Sequence, residues 1–83
     1  MSQNERSIVE GGSTTIEDLH IGAGNFWEEG GQLTCQLSLS SPFRNERVKP
    51  GQVLEQAGKK IEVVRVEKGG NGKGVVTLKV SAP

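Results

Sequence analysis

Apolar and polar residues alternate along much of this chain, and this period of two constrains the fold more than any other feature. In the stretch QLTCQLSLS, residues 32–40, Leu33, Cys35, Leu37 and Leu39 alternate with polar side chains. Such alternation is typical of a β-strand with one buried and one solvated face. No window of about 11 residues or more has apolar residues at helical spacing. The sequence therefore predicts an all-β fold with at most one helical turn.

Glycines divide the first half of the chain into short segments. STTIEDLHI, residues 13–21, is rich in β-branched residues and predicts a strand that ends in a turn at Gly22 and Gly24. EEGG, residues 28–31, predicts a further turn. The segments between these turns have the length of short hairpin arms.

The middle of the chain predicts a change from one group of strands to another. Residues 40–52 contain two prolines and no clear period, which predicts a loop, and Val53 with Leu54 predicts a short strand or an irregular turn. About five short strands are expected in all. Residues 13–83 are predicted to form one small antiparallel barrel or sandwich of SH3-like or OB-like size. Residues 1–12 are predicted to form a flexible polar tail.

VEKGGNGKGVV, residues 66–76, holds four glycines between two apolar segments and predicts the loop of a C-terminal hairpin. A two-residue turn at Asn71 and Gly72 would place the apolar sets of the two arms on opposite faces. An odd loop of three or five residues around Gly72, with a glycine in the left-handed conformation, brings them onto one face. The predicted shared face consists of Val64, Val66, Val76, Leu78 and Val80.

This register also predicts the solvated face of the hairpin. Arg65 is expected to lie opposite Lys79, and Glu67 opposite Thr77. Val63 is out of phase with the valines that follow it. The sequence therefore predicts either a bulge near Val63 or a strand that is buried on both faces.

The residues that carry most enzyme chemistry are scarce. The chain has one cysteine, Cys35, whose phase places it on a buried strand face as an inert core thiol. The single histidine, His20, has the opposite phase to Leu19 and Ile21 and is predicted to lie on the surface. The spacing of His, Cys and carboxylate residues fits no metal site. The sequence predicts a protein that is not an enzyme, with no catalytic residues, no metal and no cofactor.

Two glycine patterns also argue against nucleotide binding. Residues 69–74 have the glycine spacing of a P-loop, but Val75 and Val76 follow where the P-loop has Lys and Ser or Thr. The dinucleotide pattern G-x-G-x-x-G that begins at Gly22 fails because Trp27 stands at the third glycine position.

Charge is divided unevenly along the chain, although the net charge is zero. Residues 1–43 carry one basic and six acidic side chains, and residues 44–83 carry nine basic and four acidic ones. The first half thus has a charge of −5 and the second a charge of +5. This division indicates either a polyanion-binding C-terminal region or attraction between the two halves of the folded chain.

The C-terminal sequence also resembles two families of RNA-binding proteins. GQVLEQAGKKIEVVRVEKGGNGKGVVTLKV, residues 51–80, looks like the KOW pattern of ribosomal and transcription-elongation proteins, an SH3-like hairpin that contacts RNA. The segment that runs from RVKPGQ to SAP, residues 47–83, is similar in outline to the carbon storage regulator family, whose hairpins bind mRNA. Both resemblances imply RNA contact through the hairpin.

The first functional hypothesis is therefore a small binding module for nucleic acid or another polyanion. RNA or DNA would contact the solvated face and the loop of the terminal hairpin. The release of counterions from the nucleic acid would favour this binding. The predicted contact residues are Arg65, Lys68, Lys73, Lys79, Lys59 and Lys60.

The alternative hypothesis is a protein-interaction module. The protein would then be a small inhibitor or a small assembly subunit like those of phages. It would bind by an edge strand or by an aromatic patch around Trp27 and Phe43. This reading also allows a homodimer. The same aromatic residues could instead fill the core.

The sequence predicts a cytoplasmic protein that does not enter a membrane. No apolar run approaches the roughly 18 residues of a membrane span, and MSQNERSIVEGG, residues 1–12, lacks the hydrophobic stretch of a secretory signal. A single cysteine cannot form an internal disulfide, which is usual for proteins of a reducing compartment.

Overall fold

The computed structural model describes residues 4–16, 18–40 and 43–81, and the regular structure within them is entirely β. The strands are β1 (Asn4–Val9), β2 (Ser13–Ile16), β3 (Leu19–Glu29), β4 (Gln32–Leu39), β5 (Arg44–Val48), β6 (Val53–Gln56), β7 (Lys59–Lys68) and β8 (Gly74–Ser81). They form two antiparallel sheets, sheet A in the order β1-β8-β7-β6 and sheet B in the order β2-β3-β4-β5. The predicted all-β class is confirmed, with eight strands instead of about five. None of the described segments contains a helix that could cross a membrane.

The two sheets are joined at two corners, which gives the sandwich a barrel-like form. At the first corner β1 runs into β2 through Gly11 and Gly12, and their backbone groups form hydrogen bonds with Ala23 of β3. At the second corner β5 runs into β6, and Val63 of β7 bonds to the connecting residues Gly51 and Gln52. Sharing bent strands between sheets in this way protects edges that a small sheet otherwise exposes to pairing.

The core lies between the two sheets and is built from the alternating residues that the strands point inward. Sheet A contributes Ile8, Leu54, Ile61, Val63, Val66, Val76, Leu78 and Val80. Sheet B contributes Ile16, Leu19, Ile21, Ala23, Cys35, Leu37, Leu39 and Val48. Cys35 is completely buried, as its phase predicts.

The terminal hairpin of β7 and β8 has the predicted odd loop. Lys68 pairs with Gly74, so the five residues 69–73 form the loop, and Gly72 has a left-handed φ of 83°. The predicted bulge is present and lies at Val64, between Val63 and Arg65.

This bulge changes the predicted faces of the hairpin. Val64 is only half-buried, because Val63 takes the inward position opposite Leu78. Placing Val64 on the apolar face was therefore wrong. The predicted pairings of Arg65 with Lys79 and of Glu67 with Thr77 are also wrong. The loop is centred on Asn71 instead of Gly72, so Arg65 lies opposite Thr77 and Glu67 lies opposite Val75.

Four segments differ from their predicted structure. The single strand expected over residues 13–21 is instead β2 and the start of β3, which pair as a hairpin. Residues 4–9 of the expected N-terminal tail form β1 and pair with β8 along its length, since Ile8 reaches the core. No turn occurs at Gly22 and Gly24, because both glycines continue the extended backbone of β3. The expected loop of residues 40–52 contains β5, which pairs with β4. The predicted short strand at Val53 is confirmed as β6.

Candidate functional site

The outer face of sheet A carries many charges, and most of them lie next to an opposite charge. Lys79 lies between Glu5 and Glu62 on the two neighbouring strands. Arg65 Nε lies 3.4 Å from Glu67 Oε2 in an exposed ion pair. Neighbours of this kind neutralise the field that a polyanion would meet.

The six cations predicted to bind nucleic acid do not form one cluster. Lys59 and Lys60 lie at the first end of β7, where Lys60 is opposite Glu55. Lys68 lies at the last residue of β7, roughly 30 Å away along the strand. Lys73 is in the loop that follows, on the same end of the hairpin as Lys68. The structure therefore groups only Lys68 with Lys73.

The loop between β7 and β8 has an ordered backbone. Gly69 N donates to Lys73 O at 2.8 Å, and Gly72 N donates to Gly69 O at 3.0 Å. The Asn71 side chain accepts a hydrogen bond from Lys73 N at 3.0 Å. Lys68 and Lys73 are exposed and form no ion pair within the part of the chain that the structure describes.

The outer face of sheet B has a different character, being polar but nearly uncharged. The side chains on this face come from alternate positions of its four strands. They are Ser13, Thr15, His20, Trp27, Glu29, Gln32, Thr34, Gln36, Ser38, Asn45 and Arg47, of which Glu29 and Arg47 carry opposite charges. His20 is exposed, as predicted, and its Nδ1 lies 2.9 Å from Thr15 Oγ1.

Trp27 and Phe43 are on the surface and not in the core. Trp27 is 48% exposed and Phe43 is 72% exposed, so the reading of both as core residues is wrong. The two aromatics lie at opposite ends of sheet B. Trp27 pairs with Thr34, whereas Phe43 precedes β5, whose first residue pairs with Leu39. Five residues of β4, roughly 17 Å, separate these positions, so they do not form one patch.

Arg47 lies over the ring of Trp27 and is held in place from three directions. Its Cζ is 3.7 Å from the ring centroid, a close cation–π contact. Arg47 Nη1 donates to Thr34 Oγ1 at 2.7 Å, and Nη2 donates to the carbonyl oxygen of Asn25. Trp27 Nε1 in turn donates to Glu29 Oε2 at 2.8 Å. The pair, named here the Trp27–Arg47 stack, is therefore fixed before any partner binds.

A bulge in β3 explains why Trp27 points outward. The register shifts between Gly24 and Trp27, so Asn25 and Phe26 together occupy one position of the ladder. Phe26 turns inward and packs against the core, while Trp27 returns to the outer face. The Phe26 ring lies directly against Gly74 of sheet A, where a Cβ atom would overlap it.

Arg47 is the residue of this site that the sequence did not indicate. It lies in residues 40–52, which were predicted to form a loop, and counted only as one cation of the basic half. Its role depends on the pairing of β4 with β5, which places it opposite Gln36 and beside Trp27. Val48 is the one apolar residue of β5, so this segment has no apolar–polar alternation that would predict a strand.

The described residues contain no group of three or more His, Cys, Asp or Glu side chains that could hold a metal ion. Burial raises the pKa of the Cys35 thiol to about 11, and the positive charge of Arg47 opposes this shift. A thiol in this state is largely protonated at neutral pH, which makes it a poor nucleophile.

No protein-family model matches this chain, and no curated protein or solved structure matches it either, so the resemblance of its C-terminal half to two RNA-binding families stays a prediction.

Proposed function

We propose that this protein is a non-enzymatic interaction module that binds a protein partner through the Trp27–Arg47 stack. The observation that carries the proposal is a large aromatic side chain that is half exposed although an arginine is stacked on it. Trp and Arg are two of the residue types most enriched at the energetic centres of protein interfaces. A side chain that is already fixed loses little conformational entropy on binding.

The surroundings of Trp27 define the chemistry of the partner. Glu28 and Glu29 follow Trp27 and are exposed, so the aromatic surface has an acidic border. The Arg47 guanidinium donates a hydrogen bond to Thr34 and is stacked on the Trp27 ring, so its charge is directed mainly at that ring. The complementary surface is an apolar pocket with a basic rim, because opposite charges at the edge favour association and suppress other partners.

A capture experiment with two matched aromatic variants tests this proposal. The wild-type chain, Trp27→Ala and Phe43→Ala are used as baits in extracts of the source cells, after nuclease treatment and washing at high salt. A true partner is retained by wild type and by Phe43→Ala and lost from Trp27→Ala. Phe43 is the control because it is the more exposed aromatic and lies at the other end of the sheet.

The affinity for the captured partner can then be measured directly. Trp27 is the only tryptophan, so its own fluorescence reports the titration of the wild-type chain. Trp27→Ala, followed by calorimetry, is expected to weaken binding about thirtyfold or more, the effect of an interface centre of about 2 kcal/mol. Equal capture by Trp27→Ala, or loss of all captured protein after nuclease treatment, would contradict the proposal.

Polyanion binding is a second candidate, favoured by one observation. Lys68 and Lys73 are the two exposed cations at one end of the hairpin that have no ion pair among the described residues. The test is binding of labelled RNA and DNA over a range of salt. Lys68→Glu with Lys73→Glu should weaken binding strongly and reduce the slope of its salt dependence, whereas Lys79→Glu, between Glu5 and Glu62, should have a smaller effect. Unchanged affinity in the double variant would exclude this function.

A cytoplasmic location is part of the same proposal. The one cysteine is a free and buried thiol, a state that a reducing compartment preserves. Fractionation of the source cells, with detection of the full-length chain, tests the location.

A further inference from the structure

A shallow cavity of about 250 Å³ lies on the outer face of sheet B, next to the Trp27–Arg47 stack. The two adjoin at Asn25, which lines the cavity and whose carbonyl oxygen accepts a hydrogen bond from Arg47. The lining of the cavity consists of four glycines together with Ala23, Asn25, Gln36 and Ser38. None of these residues is charged. The volume is slightly below the roughly 300 Å³ at which pockets for drug-sized ligands begin, so the cavity suits a ligand of a single ring.

Three uncharged polar side chains give the cavity its chemistry. Asn25 Nδ2 donates to Gln36 Oε1 at 2.8 Å, which fixes the two amides relative to each other. This bond leaves Asn25 Oδ1 as an acceptor and Gln36 Nε2 as a donor. Ser38 Oγ, which can both donate and accept, has no hydrogen bond to any described residue. The cavity therefore offers neutral donors and acceptors in close proximity.

Two of the four glycines that line the cavity are not required by the fold. Gly22 and Gly24 lie inside β3 and have no left-handed φ. A Cβ at Gly24 would meet no atom within 4 Å, and one at Gly22 would make only ordinary contacts, the nearest at 3.7 Å to Gly12 O. Glycine inside a strand reduces stability and often marks a bulge, a tight bend, or a site where a ligand or another backbone approaches closely. Here the missing side chains leave the floor of the cavity open.

We propose that this cavity binds a neutral, hydroxyl-rich ligand, a single sugar residue of a carbohydrate. A charged ligand would lose water without gaining a counter-charge from the lining. An apolar ligand would leave the amides and the serine hydroxyl without partners. Sugar hydroxyls act as donors and acceptors at once, as the lining requires. This site differs from the protein contact at Trp27 in both position and ligand.

Amide shifts in two-dimensional NMR of the full chain provide the test. The probes are glucose, galactose, mannose and N-acetylglucosamine, with inorganic phosphate as the charged comparison. At least one sugar should give saturable shifts at Gly22, Gly24 and Ser38, and phosphate should give none there. Gly24→Val should weaken sugar binding at least about tenfold without lowering the melting temperature, because its side chain enters open space.

The matched control is Gly70→Val in the hairpin loop, where an added Cβ also meets nothing within 4 Å. This variant should bind sugar as wild type does. Trp27→Ala should lose the protein partner and keep the sugar, which separates the two sites. The inference is overturned if none of the four sugars gives saturable shifts at concentrations that extend above the millimolar range. It is also overturned if phosphate shifts the same amides, or if Gly24→Val binds sugar with unchanged affinity.

Discussion

The outer faces of the two sheets differ in the charge and polarity of the side chains that they expose to solvent. On sheet A, cations and glutamates alternate across strands, as in the row Glu5, Lys79 and Glu62. On sheet B, the face is neutral and polar, with one stacked aromatic at Trp27 and a cavity over Gly24. Sheet A balances most of its charges within the molecule, and Lys68 at the end of β7 is an exception among the described residues. Sheet B keeps hydrogen-bonding groups and an aromatic surface available, and this is the face on which we place recognition.

The inner faces do not share this difference, which is the first point to test. Leu37 of sheet B and Leu78 of sheet A are both completely buried in the common core. Leu37→Ala and Leu78→Ala should each lower the free energy of unfolding by about 2–5 kcal/mol, through lost apolar contact and a residual cavity. Urea unfolding measures both. A loss below about 1 kcal/mol in either variant would show that its sheet contributes little to the core.

The second prediction concerns pH and the thiol that sheet B buries. The pKa of Cys35 is raised from 9.0 to about 11 in the folded protein, because burial disfavours the thiolate. As the pH rises from 9 to 11, the unfolded thiol ionises while the folded thiol stays protonated. Stability is therefore complete below pH 9 and falls by up to about 3 kcal/mol toward pH 11.

Cys35→Ala isolates this effect from the titration of lysines, which both proteins share. The variant should lose less stability than wild type between pH 9 and pH 11, as measured by urea unfolding at each pH. Equal slopes in the two proteins would contradict the raised pKa. Slow reaction of the native thiol with iodoacetamide at neutral pH provides an independent check.

The third prediction compares one arginine from each outer face. Arg47→Ala removes two hydrogen bonds and the cation–π contact on sheet B and should cost about 1–2 kcal/mol of stability. Arg65→Ala removes an exposed ion pair on sheet A and should cost about 0.5 kcal/mol or less. Equal losses in urea unfolding would mean that the Trp27–Arg47 stack is no more ordered than a surface ion pair.

The sequence was informative where one pattern dominated a segment. The alternation around Cys35 predicted β4 and its buried face, and the phase of the valines predicted an odd loop around Gly72. Both inferences depended on which residues a one-residue shift would bury. Local pattern was therefore sufficient for β4 and for the odd length of the loop, but not for the register of β7 or the inward position of Val63.

Other features depended on contacts that local pattern does not contain. Glycines usually mark turns, yet Gly22 and Gly24 continue β3 because β2 and β4 pair with it on either side. Within Glu5–Val9 of β1, the side chains whose burial the structure describes, only Ile8 is buried, and β8 from the far end of the chain pairs with this strand. Arg47 joins Trp27 only through the pairing of β4 with β5. These are long-range pairings, and so the candidate site was less predictable than the fold.

The smallest effect concerns a matching turn in each sheet. In sheet B, Gly30 and Gly31 form the two-residue turn of β3 and β4 with φ of 63° and 82°. In sheet A, Ala57 and Gly58 form the corresponding turn of β6 and β7 with φ of 52° and 78°. Such turns need left-handed residues at both positions, which favours Asn-Gly or Gly-Gly over Ala-Gly.

Reciprocal substitutions therefore have opposite signs. Ala57→Asn should raise the free energy of unfolding by about 0.5–1 kcal/mol, because asparagine tolerates the left-handed conformation better than alanine. Gly30→Ala should lower it by a similar amount, since it gives sheet B the strained turn that sheet A now has. Neither added side chain should affect packing, because both positions are exposed. Changes of the same sign in thermal and urea unfolding would show that another contact controls these turns, because backbone conformation alone requires opposite signs.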